Sequence, residues 1–271
     1  MNTYTIHQFQ AEFPNDNACL DYIFKKKYPS HKGWYRIKAR KAYANAQGKQ
    51  IYPLKDTIFE KSDTKLTSWF FAIYLFSTSK NGVSGKELQR QLGVTYKTAW
   101  RMAKQIRSLM KDGKGMLGGG SGEVEVDETY IGGYKKAGQG GKGKMPVFGM
   151  VERGGSVKTK TLTARETHLI LKEIKKNIKD GSHIISDKFG VYRKTTRIGY
   201  RHSSVNHWRK EFVRGNIHTN TIENFWSQLK RSLDGTYHSV SSKYLQSYVN
   251  EFAFRYNRRS LPVFEALMGR I

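Results

Sequence analysis

The run Asp112-Gly-Lys-Gly-Met-Leu-Gly-Gly-Gly-Ser-Gly122 constrains this chain more than any other stretch. Its glycine density and lack of periodicity suit neither helix nor strand and mark a flexible linker. The segments on either side of it are therefore expected to fold separately. The expected division is a basic N-terminal subdomain over 1–60, a helical domain over 61–112, the linker over 113–122, and a mixed α/β domain over 123–271.

Composition narrows the class. With 271 residues and 38% apolar content, the chain can bury a real core. Its charge is lopsided: 48 Lys plus Arg against 22 Asp plus Glu gives a net +26. An excess of that size points to a polyanionic partner, most commonly nucleic acid, through phosphate neutralisation and counterion release. An anionic membrane is the rival partner. No apolar run reaches the ~18–20 residues of a membrane-spanning helix, and the N-terminus lacks a signal-peptide pattern. Cys19 is the only cysteine, so neither a disulfide framework nor a cysteine zinc site is expected. A soluble intracellular protein is expected.

In the first part, Phe9, Phe13, Leu20, Ile23 and Phe24 predict one or two short amphipathic helices, with 17–28 helical up to Pro29. From His31 to Tyr52 the chain is basic and aromatic, with Trp34, Tyr35, Arg36, Lys38, Arg40, Lys41 and Tyr43. That mixture suits strands that touch phosphates and stack on bases. A small basic β-subdomain with no specific role is the competing reading. Residues 65–79 read as a buried helix. Ser84 with Glu87 then forms a capping-box start, Gly93 ends that helix, and Thr95 caps the next. Ala99, Trp100, Ala103 and Ile106 would line its inner face, while Tyr96, Lys97, Arg101, Lys104 and Arg107 decorate the rest. This is a helix–turn–helix layout, whose second helix can enter a DNA major groove. A plain helical hairpin shares the pattern.

After the linker, Glu123 to Gly133 reads as a strand whose apolar side is Val124, Val126 and Ile131. Asp127 sits in mid-strand, where aspartate is a poor β-former and costs stability unless a metal ion, Arg or Lys meets it. A solvated edge strand with scattered acids is the alternative. The loop over 132–144, rich in Gly and Lys, suits a phosphate backbone or a disordered hairpin tip. Strands are expected at 146–152 and 157–163, joined by Gly154-Gly155, then a helix over 167–178 with Leu169, Ile170, Leu171, Ile174 and Ile178 facing in. A strand over 183–186 runs into Asp187, a helical piece comes after Lys188, a fifth strand covers 201–205, and helices over 220–233 and 242–258 close the chain. The order β-β-β-α-β-α-β-α-α predicts an α/β (α+β) fold with a mixed sheet flanked by helices.

Two further acids stand in equally deliberate settings. Asp187 ends a strand, where open α/β sheets place ligands, although Asp before a turn is often only a cap. Glu223 begins a helix, and Asn220 to Glu223 fits a local capping box. Ile222, Phe225, Trp226, Leu229 and Leu233 form that helix's core face, with Glu223, Ser227 and Lys230 as a polar stripe beside it. Three acids suit phosphodiester chemistry, in which two Mg²⁺ ions ~3.5–4 Å apart stabilise the attacking and leaving oxygens. Mg²⁺ takes hard oxygen ligands, and the eight histidines form no zinc-hydrolase pattern.

Four blocks carry a family resemblance: Val-Glu-Val-Asp-Glu-Thr-Tyr-Ile-Gly-Gly from Val124, Ser-Asp-Lys-Phe-Gly-Val-Tyr from Ser186, His-Thr-Asn-Thr-Ile-Glu-Asn-Phe-Trp-Ser-Gln-Leu-Lys-Arg from His218, and Glu-Phe-Ala-Phe-Arg-Tyr-Asn-Arg-Arg from Glu251. In that order they resemble the DDE transposases of bacterial insertion sequences related to Merlin transposons, the ISXO-like family. The resemblance runs from about Thr57 and implies an RNase H-like domain. Its catalytic and metal-binding residues would be Asp127, Asp187 and Glu223, spaced by 60 and 36 positions, with Lys230 as the lysine that comes after the third acid. Some relatives carry an asparagine at the third position, which makes Asn224 a rival to Glu223. The implied cofactor is two Mg²⁺, with Mn²⁺ as a substitute.

The implied partner is double-stranded DNA, as terminal inverted repeats and as target, bound by a homodimer or larger assembly in the bacterial cytoplasm at the nucleoid. Tyr96, Lys97, Arg101, Lys104 and Arg107, the N-terminal Arg36, Arg40 and Lys41, and the C-terminal Arg255, Arg258 and Arg259 would contact that DNA. Glu125 and Glu128 are read as solvated or as supporting the three acids. The family's N-terminal zinc ribbon lacks its cysteine pairs here, with Asn45 and Gly48 at the second pair, so a degenerate zinc-ribbon-like subdomain without zinc is expected. A nuclease on the same fold and a domesticated DNA-binding regulator are the alternatives.

Overall fold

Apolar residues at helical spacing and short β-branched runs generate two compact units, Met1–Leu109 with Ser260–Ile271, and Met110–Arg259. The computed structural model describes every residue except 1–3, 38–40, 112–114, 119–121, 133–143, 164–167, 188–189, 207–210 and 212.

The first unit begins with helices α1 (Ile6–Glu12), which opens on a Thr5–Gln8 capping box, and α2 (Asp16–Lys27). Next come three two-residue strands, β1 (Tyr35–Arg36), β2 (Tyr43–Ala44) and β3 (Gln50–Ile51), paired antiparallel in sequence order. So small a sheet cannot bury its own face. It is anchored on α2 instead: the Phe24 and Tyr43 rings stack with centroids 3.8 Å apart, and Asp21 accepts from Tyr43 and Arg36. Helix α3 (Leu66–Thr78) is apolar nearly all round and buries Leu66, Trp69, Phe70, Ile73 and Phe76, as a central helix must.

Helices α4 (Gly85–Leu92) and α5 (Tyr96–Leu109) are joined across Gly93, which takes the left-handed conformation that ends α4. Ser84 caps α4 by accepting from the Glu87 amide, while the Glu87 carboxylate turns to Arg90 and Gln91. The inner face of α5 is Ala99, Met102, Ala103 and Ile106. Met102 thus takes the place expected for Trp100, which is half-buried.

The second unit is built on five strands: β4 (Glu123–Ile131), β5 (Met145–Glu152), β6 (Val157–Thr161), β7 (His183–Asp187) and β8 (Arg201–Val205). Helix α6 (Ile170–Asn177) precedes β7, and a 3-10 helix over Tyr192–Ile198 precedes β8. The order across the sheet is β6-β5-β4-β7-β8, with β4 antiparallel to β5 and parallel to β7. A short hairpin, β9 (Val213–Arg214) and β10 (Ile217–His218), leads into α7 (Asn220–Ser232). A π-turn over Leu233–Tyr237 then passes to α8 (Ser242–Asn257).

Each face of the sheet carries its own core. Val124, Val126, Phe148, Met150 and Ile184 pack with Ile170, Ile174, Ile178 and Tyr192 on one side. Ile131, Val147, Val151 and Val157 pack with Ile222, Phe225, Trp226, Leu229 and Val249 on the other. Ile131 is therefore opposite Val124 and Val126, not beside them, because odd and even positions of a strand face opposite ways. Leu117 is buried and bonds through its backbone to Asn177 and Lys179, and a Cβ on Gly118 would lie 2.1 Å from Ser182 Oγ.

Beyond the elements expected from sequence lies one more helix, α9 (Val263–Met268). It belongs to the first unit, where Phe264 meets Tyr4, Phe9 and Phe13. No helix among the described residues is long and apolar enough to cross a membrane.

Candidate active site

Strand register brings two of the predicted acids together. Val126 pairs with Ser186 across the parallel β4–β7 ladder, so Asp127 and Asp187 are the next residues on neighbouring strands. Both lie on the face that α7 covers. Burial, then the negative charges of Asp187 and Glu128, push the Asp127 carboxyl up to about 7. A backbone hydrogen bond from Glu128 opposes the shift, as does Trp226, whose Nε1–H donates to Asp127 Oδ2 at 3.1 Å. That contact depends on Gly149, which pairs with Asp127 on β5. A Cβ at Gly149 would stand 2.4 Å from the Trp226 ring.

Glu128 projects to the other face of β4, the side of Tyr192. Sequence suggests a solvated or supporting acid, yet burial pushes its carboxyl up to about 7, opposed by the nearby Tyr192 hydroxyl and reinforced by the charge of Asp187. Two adjacent carboxyls of β4 thus have raised pKa values, and the charge of Asp187 adds to both. Strongly perturbed carboxyls with a charged neighbour mark a candidate functional site.

Glu223 lies in the first turn of α7, half-buried, with Oε1 accepting from the Thr219 hydroxyl at 2.6 Å. It does not close on the aspartates: among the described residues no group of three or more His, Cys, Asp or Glu is placed to hold a metal ion. Asn224, one position on, is exposed and accepts from Gln228. Lys230 is exposed two turns along, on the side of Glu223.

The expected local cap of α7 is replaced by a distant one. Neither Thr219 nor Asn220 caps the helix through its side chain. Glu125, fully buried, accepts from the backbone amides of Thr221 at 2.8 Å and Ile222 at 3.0 Å. Arg153 neutralises it, with Nε 2.7 Å from Glu125 Oε1 and Nη1 2.8 Å from Glu123 Oε2. Glu125 is thus neither solvated nor a spare acid. Neither its role nor that of Arg153 carries a local signal; a mid-strand Glu two residues before Asp127, on the same face, is the only hint.

The basic residues divide by environment. Tyr96, Lys97 and Lys104 are exposed on α5, with Lys86 over the Tyr96 ring and Lys104 over Trp100. Arg101 is half-buried over Trp69 and donates to Ser62 and Thr64. Arg107 departs from its expected surface role: it is 3% exposed and donates to the Val83 carbonyl, so it fastens α5 into the core. Lys41 is exposed, Arg36 is paired with Asp21, and Arg40 lies outside the described residues. Residues 133–143 of the predicted phosphate-wrapping loop also lie outside them.

Arg255 is held at 2.8 Å by the buried Glu251. Arg258 stacks over Phe254, and Arg259 donates to the carbonyls of Gly154, Gly155 and Tyr256. Arg255 and Arg259 thus spend donors within the unit, and Arg258 is held there by its stacking.

Comparison with known proteins agrees with the four sequence blocks. The chain is 26% identical to an uncharacterised protein in transposable element ISH50 of Halobacterium salinarum, covering 78% of this chain and 76% of that relative. No solved structure matches it. Residues 119–257, which hold β4 to α8 and all three predicted acids, match the ISXO2-like transposase domain. The chain belongs to the ISXO2-like transposase family.

Proposed function

We propose that this transposase cuts and joins DNA strands at a site formed by Asp127, Asp187 and Glu223, with Lys230 steadying the phosphate. One observation carries the reading. Two carboxylates come next to one another on adjoining parallel strands, Asp127 in the middle of β4 and Asp187 at the end of β7, and burial together with the charge of Asp187 leaves Asp127 in need of a cation. The sheet order, with three antiparallel strands and then two parallel ones, supports an RNase H-like domain.

The donor set is all hard oxygen, which fits Mg²⁺ or Mn²⁺ and not zinc. Asp127 and Asp187 would hold the ions, with Glu223 completing the set by turning away from Thr219. When bound, such ions supply charge stabilisation at the attacking and leaving oxygens of an in-line displacement. The chain itself orients Asp127 through Trp226 and keeps one wall of the site dry with the α7 core face.

DNA ends would be held by α4 and α5 acting as a helix–turn–helix, with Tyr96, Lys97 and Lys104 outward and Arg36 and Lys41 adding phosphate contacts. Joining needs two ends at once, so a dimer on DNA in the bacterial cytoplasm is part of the proposal. The test is incubation of the protein with labelled terminal-repeat DNA, Mg²⁺ and target plasmid. Strand-joined products from the wild type, and none from Asp127→Asn or Asp187→Ala, are expected. Cutting without joined products would favour a simple nuclease. Undiminished products from Asp187→Ala would sink the site assignment.

A further inference from the structure

We propose that Glu125 and Arg153 are positioning residues that set where the start of α7, and hence Glu223, stands over the aspartate pair. The inference rests on the transposase site proposed above.

A fully buried carboxylate is costly unless its oxygens are met by hydrogen bonds and a counter-charge. Glu125 has both. Its oxygens take the Thr221 amide at 2.8 Å, the Thr221 hydroxyl at 2.9 Å, the Ile222 amide at 3.0 Å and Arg153 Nε at 2.7 Å, with His218 Nδ1 at 3.4 Å. The first amides of a helix have no partner within the helix and carry its positive end. Here a β-strand satisfies them. A cap from the helix's own sequence would leave α7 free to slide or roll against the sheet. A cap from β4 fixes both its height and its rotation relative to Asp127, which is two residues along the same strand face.

Arg153 fixes the segment before the helix in the same way. Beyond Glu125, it bonds to Glu123 and donates Nη1 to the Asn216 carbonyl at 2.7 Å and Nη2 to the His218 carbonyl at 2.9 Å. Those carbonyls lie on the β9–β10 hairpin, whose exit is the entry to α7. One planar fork therefore ties the turn after β5 to the acidic row of β4 and to the hairpin. Lysine, a point charge, cannot reproduce that geometry. With the backbone fixed on both sides of Thr219, the remaining freedom of Glu223 is in its side chain, which Thr219 holds at 2.6 Å.

The test uses the full-length protein and Mn²⁺ as probe. Metal affinity is read from fluorescence and thermal shift without DNA, and separately from the metal dependence of end-DNA cleavage. Glu125→Gln and Arg153→Lys are expected to remain cooperatively folded and to raise half-saturating Mn²⁺ about tenfold. In a Glu223→Gln background, adding Glu125→Gln is expected to change affinity no further, because its effect passes through Glu223. A purely structural role would lower stability and leave Mn²⁺ affinity alone, or would act equally in both backgrounds. Either result overturns the inference. Asp127→Asn and Glu223→Gln serve as the separate check: if neither weakens Mn²⁺ binding, the site reading itself has failed. If both do and Arg153→Lys and Glu125→Gln do not, only the positioning role falls.

Discussion

The indole Nε1–H of Trp226 donates to Oδ2 of Asp127 at 3.1 Å, linking the core face of α7 to the mid-strand acid of β4. The same ring is buried at 4% exposure among Ile222, Phe225 and Leu229. One residue therefore packs the helix and aims the carboxylate. Trp226→Phe keeps most of the packing and removes the donor. Urea unfolding is expected to show a loss of about 1–3 kcal/mol, and Mn²⁺ titration a weaker site at neutral pH, because the hydrogen bond lowers the Asp127 pKa.

Asp127 should itself be a stability liability in metal-free protein. Its carboxyl titrates near 7 in the folded state against ~3.9 for an ordinary aspartate. The folded state thus favours the protonated form, so stability falls as pH rises from about 4 to about 7, and the full penalty stands above 7. Asp127→Asn carries no charge and can still accept from Trp226. Calorimetry without metal is expected to find it more stable than wild type by about 1–2 kcal/mol at pH 8, allowing for partial solvent access. The gap should narrow towards pH 4.

Gly149 is required by the indole and not by its backbone. A methyl there would stand 2.4 Å from the Trp226 ring and 2.9 Å from Ile222. Gly149→Ala is expected to cost about 1–3 kcal/mol and to reduce DNA joining along with it. A melting curve that matches wild type would contradict this account of the site.

The outward and inward cations of α5 should separate cleanly in binding assays. Lys97→Ala and Lys104→Ala are each expected to weaken DNA binding and reduce the salt slope by about one, with little change in melting temperature. Arg107→Ala removes the buried hydrogen bond to the Val83 carbonyl and the guanidinium packed over the Phe76 ring. Its loss should show first as instability of the first unit in thermal melting.

Cys19 gives a probe of folding in that unit. It is fully buried, and burial, with the charge of Asp16 adding, pushes its thiol up to about 12. Thiolate is the reactive form, so a disulfide reagent at pH 8 should label native protein only at the rate of unfolding. In denaturant, labelling should be immediate.

Patterns with a short period are legible in the chain. Strand β4 and its Asp127, the end of β7 at Asp187, and the core face of α7 all come from alternation or helical phase, and the sheet they form is the mixed sheet expected. The hidden features depend on partners far along the chain. The cap of α7 comes from Glu125, 96 positions before Thr221, so Asn220 and Glu223 look like a sufficient local box. Arg153 reads as a turn residue beside Gly154-Gly155. Arg107 looks outward because helical phase alone cannot reveal the pocket beneath Val83 and Phe76. Glu128 looks solvated because nothing near it in sequence announces that Tyr192 folds against it.

The helix α9 has a temporal consequence. Its Phe264 completes an aromatic cluster whose other members, Tyr4, Phe9 and Phe13, are made first. A nascent polypeptide must therefore wait for residues 260–271 to leave the ribosome before its leading portion can finish folding. A nonsense codon just beyond Arg259 would spare every acid of the proposed site and yet unsettle α1 and the rings that flank it.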